Sequence, residues 1–212
     1  MDSVKAFILT GEWQDINGRN VLKFIGVTGN SLPVEILITN VKPVFFIRRP
    51  DTETGLSITH RRKSVKLTNF DGDEVDAVYF NSERDLKAAA EELNKNGIRN
   101  YEADVDPVRR YLMERFLNAQ IKITGNKEPA GKLIRFTNPE IEACEFTPPL
   151  KVASIDIETG SGNRLLYSIA VNLTNGTQAE KNVFIVGEGT DDGLISFYPT
   201  EKELLQSFLV WF

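Results

Sequence analysis

Cysteine is nearly missing from this chain: Cys144 is the only one in 212 residues. A lone cysteine excludes an intrachain disulfide and any zinc cluster built from thiolates. No apolar run approaches the length of a membrane span, and the opening MDSVKAFILTGEW has no basic stretch followed by a long apolar core. Repeats and low-complexity segments are absent too. These absences point to a cytoplasmic protein with no membrane partner. What remains is ordinary globular composition, 41% hydrophobic and 26% charged. Its length suits one large domain or two small ones with a real core.

The net charge of −5 is unevenly spread. Residues 151–212 hold 4 basic and 8 acidic side chains, so the acidic excess lies mostly there. The segment 42–66 does the opposite: Lys42, Arg48, Arg49, Arg61, Arg62, Lys63 and Lys66 stand against only Asp51 and Glu53. A local basic patch in a mildly acidic protein can hold a phosphate backbone. The plainer alternative is a solvated loop between two strands. Phe45 and Phe46 beside Arg48 and Arg49 suggest base stacking, but neighbours in a strand face opposite ways, so at least one belongs to the core.

The organisation reads as α+β. VKAFILTGEW, RNVLKFIGVT, PVEILITN and KPVFFIRR are β-branched or aromatic runs separated by Asn, Gly and Pro. SVKLTNF and EVDAVYF follow, split by Asp71-Gly72-Asp73. An antiparallel sheet or small barrel is the natural packing. Ser82 caps a helix running to Gly97, and Asp106-Pro107 opens a second over PVRRYLMERFLNA. On that second helix Val108, Leu112 and Phe116 share a face widened by Tyr111 and Met113. QIKITG and KLIRFTN then read as a strand pair. Pro148-Pro149 marks the boundary between a domain of 1–147 and one of 148–212. Beyond it come three strands, VASIDIE, LLYSIAVNL and NVFIVG. A helix over TEKELLQSFLVWF follows, with Leu204, Leu205, Phe208 and Leu209 on one side.

VASIDIETGSG, residues 152–162, sets two acids into a run that otherwise reads as a buried strand. Alternation puts Asp156 and Glu158 on one face and Ile155 and Ile157 on the other. Adjacent like charges repel unless a cation sits between them, so a divalent metal site is one reading; a solvated strand end is the other. Spacing alone does not decide, because about one Asp-x-Glu is expected by chance at this acid content. A second one, Asp51-Thr52-Glu53, lies between Pro50 and Gly55 and reads as a loop.

YEADVDPVRRYLMERF (101–116) and PPLKVASIDIET (148–159), in that order and spacing, resemble the N-terminal part of the family-B DNA polymerases, their bacterial branch above all. AFILTGEW (6–13) resembles the start of the same proteins more loosely. The resemblance spans nearly the whole chain. It implies an N-terminal domain that helps cradle template DNA, then the opening strands and a helix of a ribonuclease H-like 3′→5′ exonuclease domain. By the same resemblance Asp156 and Glu158 are catalytic metal ligands, and their oxygens suit two magnesium or manganese ions. His60 lies far from them in sequence, so no imidazole base is on offer nearby.

The family's further exonuclease motifs and its palm aspartates come later than this segment. The chain is therefore expected to be the start of a longer polymerase of replication and repair, inactive by itself. Its expected partners are a primer-template, single-stranded DNA and the remainder of the polymerase. A dimer through the C-terminal helix is a further expectation, should Leu204, Phe208 and Trp211 lack their normal cover. Two other readings stand beside it: a separate nucleic-acid-binding module without catalysis, and a complete small nuclease, which the shortage of carboxylates disfavours.

Overall fold

The structure is a computed structural model that describes residues 2–51, 56–162, 164–176 and 178–212. The chain divides into two compact units, Met1–Pro148 and Pro149–Phe212. Among the described residues no helix is long and apolar enough to cross a membrane.

The first unit begins with β1 (Asp2–Ile16), β2 (Arg19–Thr28) and β3 (Pro33–Ile38). Asn17 and Gly18, both at positive φ, turn β1 into β2 as the tight twist of a two-residue hairpin requires. Along β2 every second residue is buried, so Leu22 and Phe24 reach the core. A second sheet is built from β4 (Val44–Arg48), β5 (Arg61–Thr68), β6 (Glu74–Tyr79) and β7 (Asn100–Tyr101), in the order β5-β6-β4-β7. Helix α1 (Glu83–Lys95) covers one face of it, packing Leu86, Ala89 and Leu93 on Phe45, Ile47, Val78 and Phe80. Ser82 accepts the amide of Asp85 at its start, and Gly97 at φ 74 follows its end.

After α2 (Pro107–Met113) the chain returns to the first sheet with β8 (Gln120–Gly125), β9 (Lys127–Ala130), β10 (Leu133–Thr137) and β11 (Glu140–Ala143). The order is β11-β8-β1-β2-β3-β10-β9. All its pairings are antiparallel except β10 with β3. The expected pairing of QIKITG with KLIRFTN does not occur: β8 lies beside β1, while β10 turns back on β9 through Gly131 at φ 67. Helix α2 is also shorter than expected. It stops at Met113, and Phe116 at φ 53 leads the chain out, 91% exposed, with Met113 at 60%. Tyr111 and Leu117 take the core places instead. Gly11 of β1 lets α2 come close, since a Cβ there would lie 2.6 Å from Val108.

The second unit holds β12 (Lys151–Thr159), β13 (Leu166–Asn175), β14 (Gln178–Val186), β15 (Ile195–Tyr198) and α3 (Glu201–Trp211), with the sheet in that same strand order. β15, which the sequence reading missed, runs parallel to β14. The helix face is not the expected one: Leu204 is fully buried, and Phe208 and Trp211 pack on Phe184, whereas Leu205 and Leu209 are exposed. The reason given for a dimer thus falls away for Leu204, Phe208 and Trp211. The apolar groups exposed at this end are Leu205, Leu209, Val210 and Phe212.

Candidate metal strand and nucleic-acid interface

The strand with the paired acids is not buried. β12 is the edge of its sheet and pairs only with β13 among the described residues; Ile155 and Ile157 are 44% and 55% exposed. The isoleucines still share a face with the core, because Ile157 lies opposite Ile169 and Ile155 opposite Val171. Asp156 and Glu158 lie on the other face, opposite Ala170 and Ser168, and both are exposed. Asp156 lines a groove of about 430 Å³ together with Ser154, Asn172, Lys181 and Leu194; Glu158 does not.

The donor set on this face suits a hard cation. Two carboxylates lie one residue apart on the same side, and Asn172 has a buried Oδ1 with no hydrogen-bond partner. Asn172 lies opposite Ser154, diagonal to Asp156. The set is small: among the described residues no group of three or more His, Cys, Asp and Glu gathers. His60 lies in the first unit, its Nδ1 2.7 Å from the Ile58 carbonyl.

The basic segment separates into two sets. Arg48 is held by both oxygens of Asp51, at 2.9 and 3.0 Å. Asp76, 5% exposed on β6, accepts from Arg49 Nε on one oxygen and Arg62 Nε on the other, each at 3.0 Å. Burial by itself would raise the Asp76 pKa, but hydrogen bonds from the two arginines hold it below the usual carboxylate range. Arg49 also donates to the Val65 carbonyl, and Arg62 to the carbonyls of Asp51 and Arg49. These three arginines fasten β5, β6 and the loop after β4 to each other. Glu53, the other acid of the segment, lies outside the described residues.

Lys42, Arg61 and Lys63 make no ion pair with the described residues, and all three are exposed. The register puts Arg61 opposite Tyr79, Lys63 opposite Ala77, and Phe46 opposite Ala77. They therefore share the sheet face turned away from α1. Lys66 sits at the β5 bulge and does not line the cleft on this face. Of the two phenylalanines, Phe45 is fully buried under α1 and Phe46 is half-buried on the open face.

Helix α2 completes that face. Asp106 caps it by accepting the Arg109 amide at 3.0 Å. Arg110, 8% exposed, is anchored by the carbonyl of Glu102 at 2.8 Å and lies over the Phe46 ring at 5.9 Å. Arg115 lies over Tyr111 at 4.0 Å. Arg115 and Tyr79 carried no local signal in sequence: each joins the face only through tertiary packing.

No protein-family model matches the chain. It is similar to DNA polymerase II of Escherichia coli strain K12, 27% identical over 216 residues that cover 97% of this chain and 26% of that protein. The family B DNA polymerase from the hyperthermophilic archaeon Pyrobaculum calidifontis has a similar fold: TM-score 0.69 at 20% identity, over 98% of this chain and 28% of that one. The bacterial DNA polymerase II branch is the one to which the motifs at 101–116 and 148–159 pointed. The chain spans about a quarter of the length of the proteins it matches.

Proposed function

From a chain related to the N-terminal part of the family-B DNA polymerases, we propose that residues 149–212 are the opening of a ribonuclease H-like 3′→5′ proofreading exonuclease domain. On this reading Asp156 and Glu158 are two of its metal ligands. The parent enzyme would serve DNA replication and repair in the cytoplasm, with primer-template, single-stranded DNA and the remainder of the polymerase as partners. The first unit contacts DNA through Lys42, Arg61 and Lys63, while Arg48, Arg49 and Arg62 keep a structural role. The observation that carries the reading is the edge strand β12, which holds its two carboxylates on one exposed face beside an unpaired oxygen of Asn172.

Magnesium or manganese, when bound, supplies a Lewis acid for phosphodiester hydrolysis. The residues present do less. Asp156 and Glu158 offer two charged oxygens, Asn172 a neutral one, and β12 fixes their spacing. A site dividing its ligands between two ions needs more acids than this. The chain by itself should therefore bind manganese weakly, at roughly millimolar affinity as in loosely built oxygen sites, and should not degrade DNA.

Calorimetric titration with manganese should give weak heats that vanish in Asp156→Ala. Labelled single-stranded DNA incubated with the chain and manganese should stay intact. Heats unchanged by that substitution would remove Asp156 from the ligand set. Cleavage abolished by it would show the site to be complete and the inactive-piece reading wrong.

A further inference from the structure

The two sheets of the first unit meet along a seam, and several of its polar contacts gather at the start of α1. Asp15, near the end of β1, accepts the amides of Glu83 and Arg84 at 3.0 Å each. One turn further along the helix, Lys87 lies over the ring of Trp13, its Nζ 5.0 Å from the centroid. Close by in sequence, the Asn20 amide of β2 donates to the Asn81 carbonyl at 3.0 Å. Trp13 packs on the core of the first sheet and α1 on that of the second, so these contacts hold one core to the other.

Glu83 sits within this clasp, buried, and no hydrogen bond or ion pair among the described residues reaches its carboxyl. The charged groups facing it come from three elements: Lys87 from its own helix, Asp15 from β1, and Asp106 and Arg110 from α2 and its cap. Two of the four are carboxylates. A helix N-terminus ordinarily welcomes an anion, but Asp15 and Ser82 have already taken the first three amides of this one. A carboxyl in that position is favoured as the neutral acid, and burial is the chief reason.

Lys87 therefore has two places to go. Residues four apart on a helix are neighbours, so its ammonium can reach back to Glu83 or across the seam to Trp13. A neutral Glu83 leaves it on the ring; a charged one competes for it. Ionisation would also set a new charge beside Asp15, whose oxygens hold the helix start, and would call for water at a buried position. Both effects act on the same seam. We propose that Glu83 is a proton-operated clasp: as the neutral acid it leaves Lys87 on Trp13 and α1 on Asp15, and as the carboxylate it draws Lys87 off the ring and loosens the first turn of α1 from β1. The seam is then tight in mildly acid solution and looser in mildly alkaline solution.

Fluorine NMR of the 212-residue chain labelled with 5-fluorotryptophan tests it, because Trp13 and Trp211 are its two tryptophans and give two resonances. Trp211→Phe assigns them. As pH rises from mildly acid to mildly alkaline, the Trp13 resonance should shift with a midpoint of about 7, while that of Trp211, in the second unit, stays in place. Glu83→Gln keeps the size and the neutral state, and should hold the Trp13 resonance at its acid position throughout. Lys87→Met keeps the side chain's length without its charge. It should remove most of the shift and move the midpoint of the remainder upward, since Lys87 pulls the Glu83 carboxyl down. A Trp13 resonance that does not move in the unmodified sequence would overturn the proposal, and that measurement needs no variant. A titration that survives Glu83→Gln would belong to another group, His60 among them, and would defeat it equally. A full shift in Lys87→Met would show that the lysine is not the moving part and would overturn the clasp.

Discussion

Glu83 opens α1 yet is 5% exposed. Its backbone amide and that of Arg84 are taken by the two oxygens of Asp15 on β1, each at 3.0 Å. Burial pushes the Glu83 carboxyl up from 4.5 to about 7; Asp15 and Asp106 push the same way, and Lys87 and Arg110 pull it down. The unfolded chain releases this proton near 4.5, so between there and 7 the folded protein holds one more proton. The stability that Glu83 contributes should then be fullest below pH 4.5 and be lost as pH rises through 7, by up to about 3 kcal/mol. Urea denaturation at pH 5 and pH 8 measures the decline, and Glu83→Gln should flatten it. A decline of equal size in that variant would assign it to another group. Phe116 is a second residue under strain, at φ 53 with its ring 91% exposed. Phe116→Asn loses little packing and gains a residue at ease in the left-handed region, so thermal unfolding should show a gain of about 0.5–1 kcal/mol.

At the scale of elements, the legible features were those whose signals are local. Ser82 and Asp106 cap the helices expected of them, accepting the amides of Asp85 and Arg109, and Thr200 accepts that of Glu203 at the start of α3. The faces of short or terminal helices were less legible. Leu204, Leu205, Phe208 and Leu209 form a plausible apolar stripe, and only the sheet beneath decides that Leu204, Phe208 and Trp211 turn inward. Leu204→Ala should accordingly cost about 3 kcal/mol in the unfolding of the second unit, whereas Leu209→Ala should change it by less than about 0.5 kcal/mol. The basic segment has the same logic. Seven charges look alike in sequence, and the distant Asp76 sorts them by claiming Arg49 and Arg62. Asp76→Asn should destabilise the first unit by about 2 kcal/mol, because two half-buried guanidinium groups lose their shared acceptor. Denaturation of that variant showing no loss would mean the arginines are satisfied by carbonyls alone.

For the whole molecule, the alternating strands carried the general plan, while sheet order did not follow from adjacency. β8 and β10 are near in sequence but belong beside β1 and β3, since pairing answers to a core assembled from distant residues such as Phe24, Ile36, Ile121 and Phe136. The first unit has its own two cores, around those residues and around Phe45 and Phe80. We expect residues 1–147 to unfold cooperatively when expressed alone, as scanning calorimetry would record; a broad transition without a heat peak would show that the second unit is required.

The candidate metal site shows how far a motif can be read. Asp156 and Glu158 were visible as a pair on one face, and their neighbour Asn172 was not, because only the β12–β13 register brings it alongside. That same strand has one side with no partner among the described residues, and its backbone groups there repeat with a period of two residues. A strand that joins it from outside inherits that period. In one register its carboxylates, if it has any, come to lie beside Asp156 and Glu158; displaced by a single residue, they fall among Ile155 and Ile157 instead. On the proposed metal reading, metal affinity on β12 would be a readout of strand alignment, and a one-residue slip would be enough to move the added carboxylates out of reach.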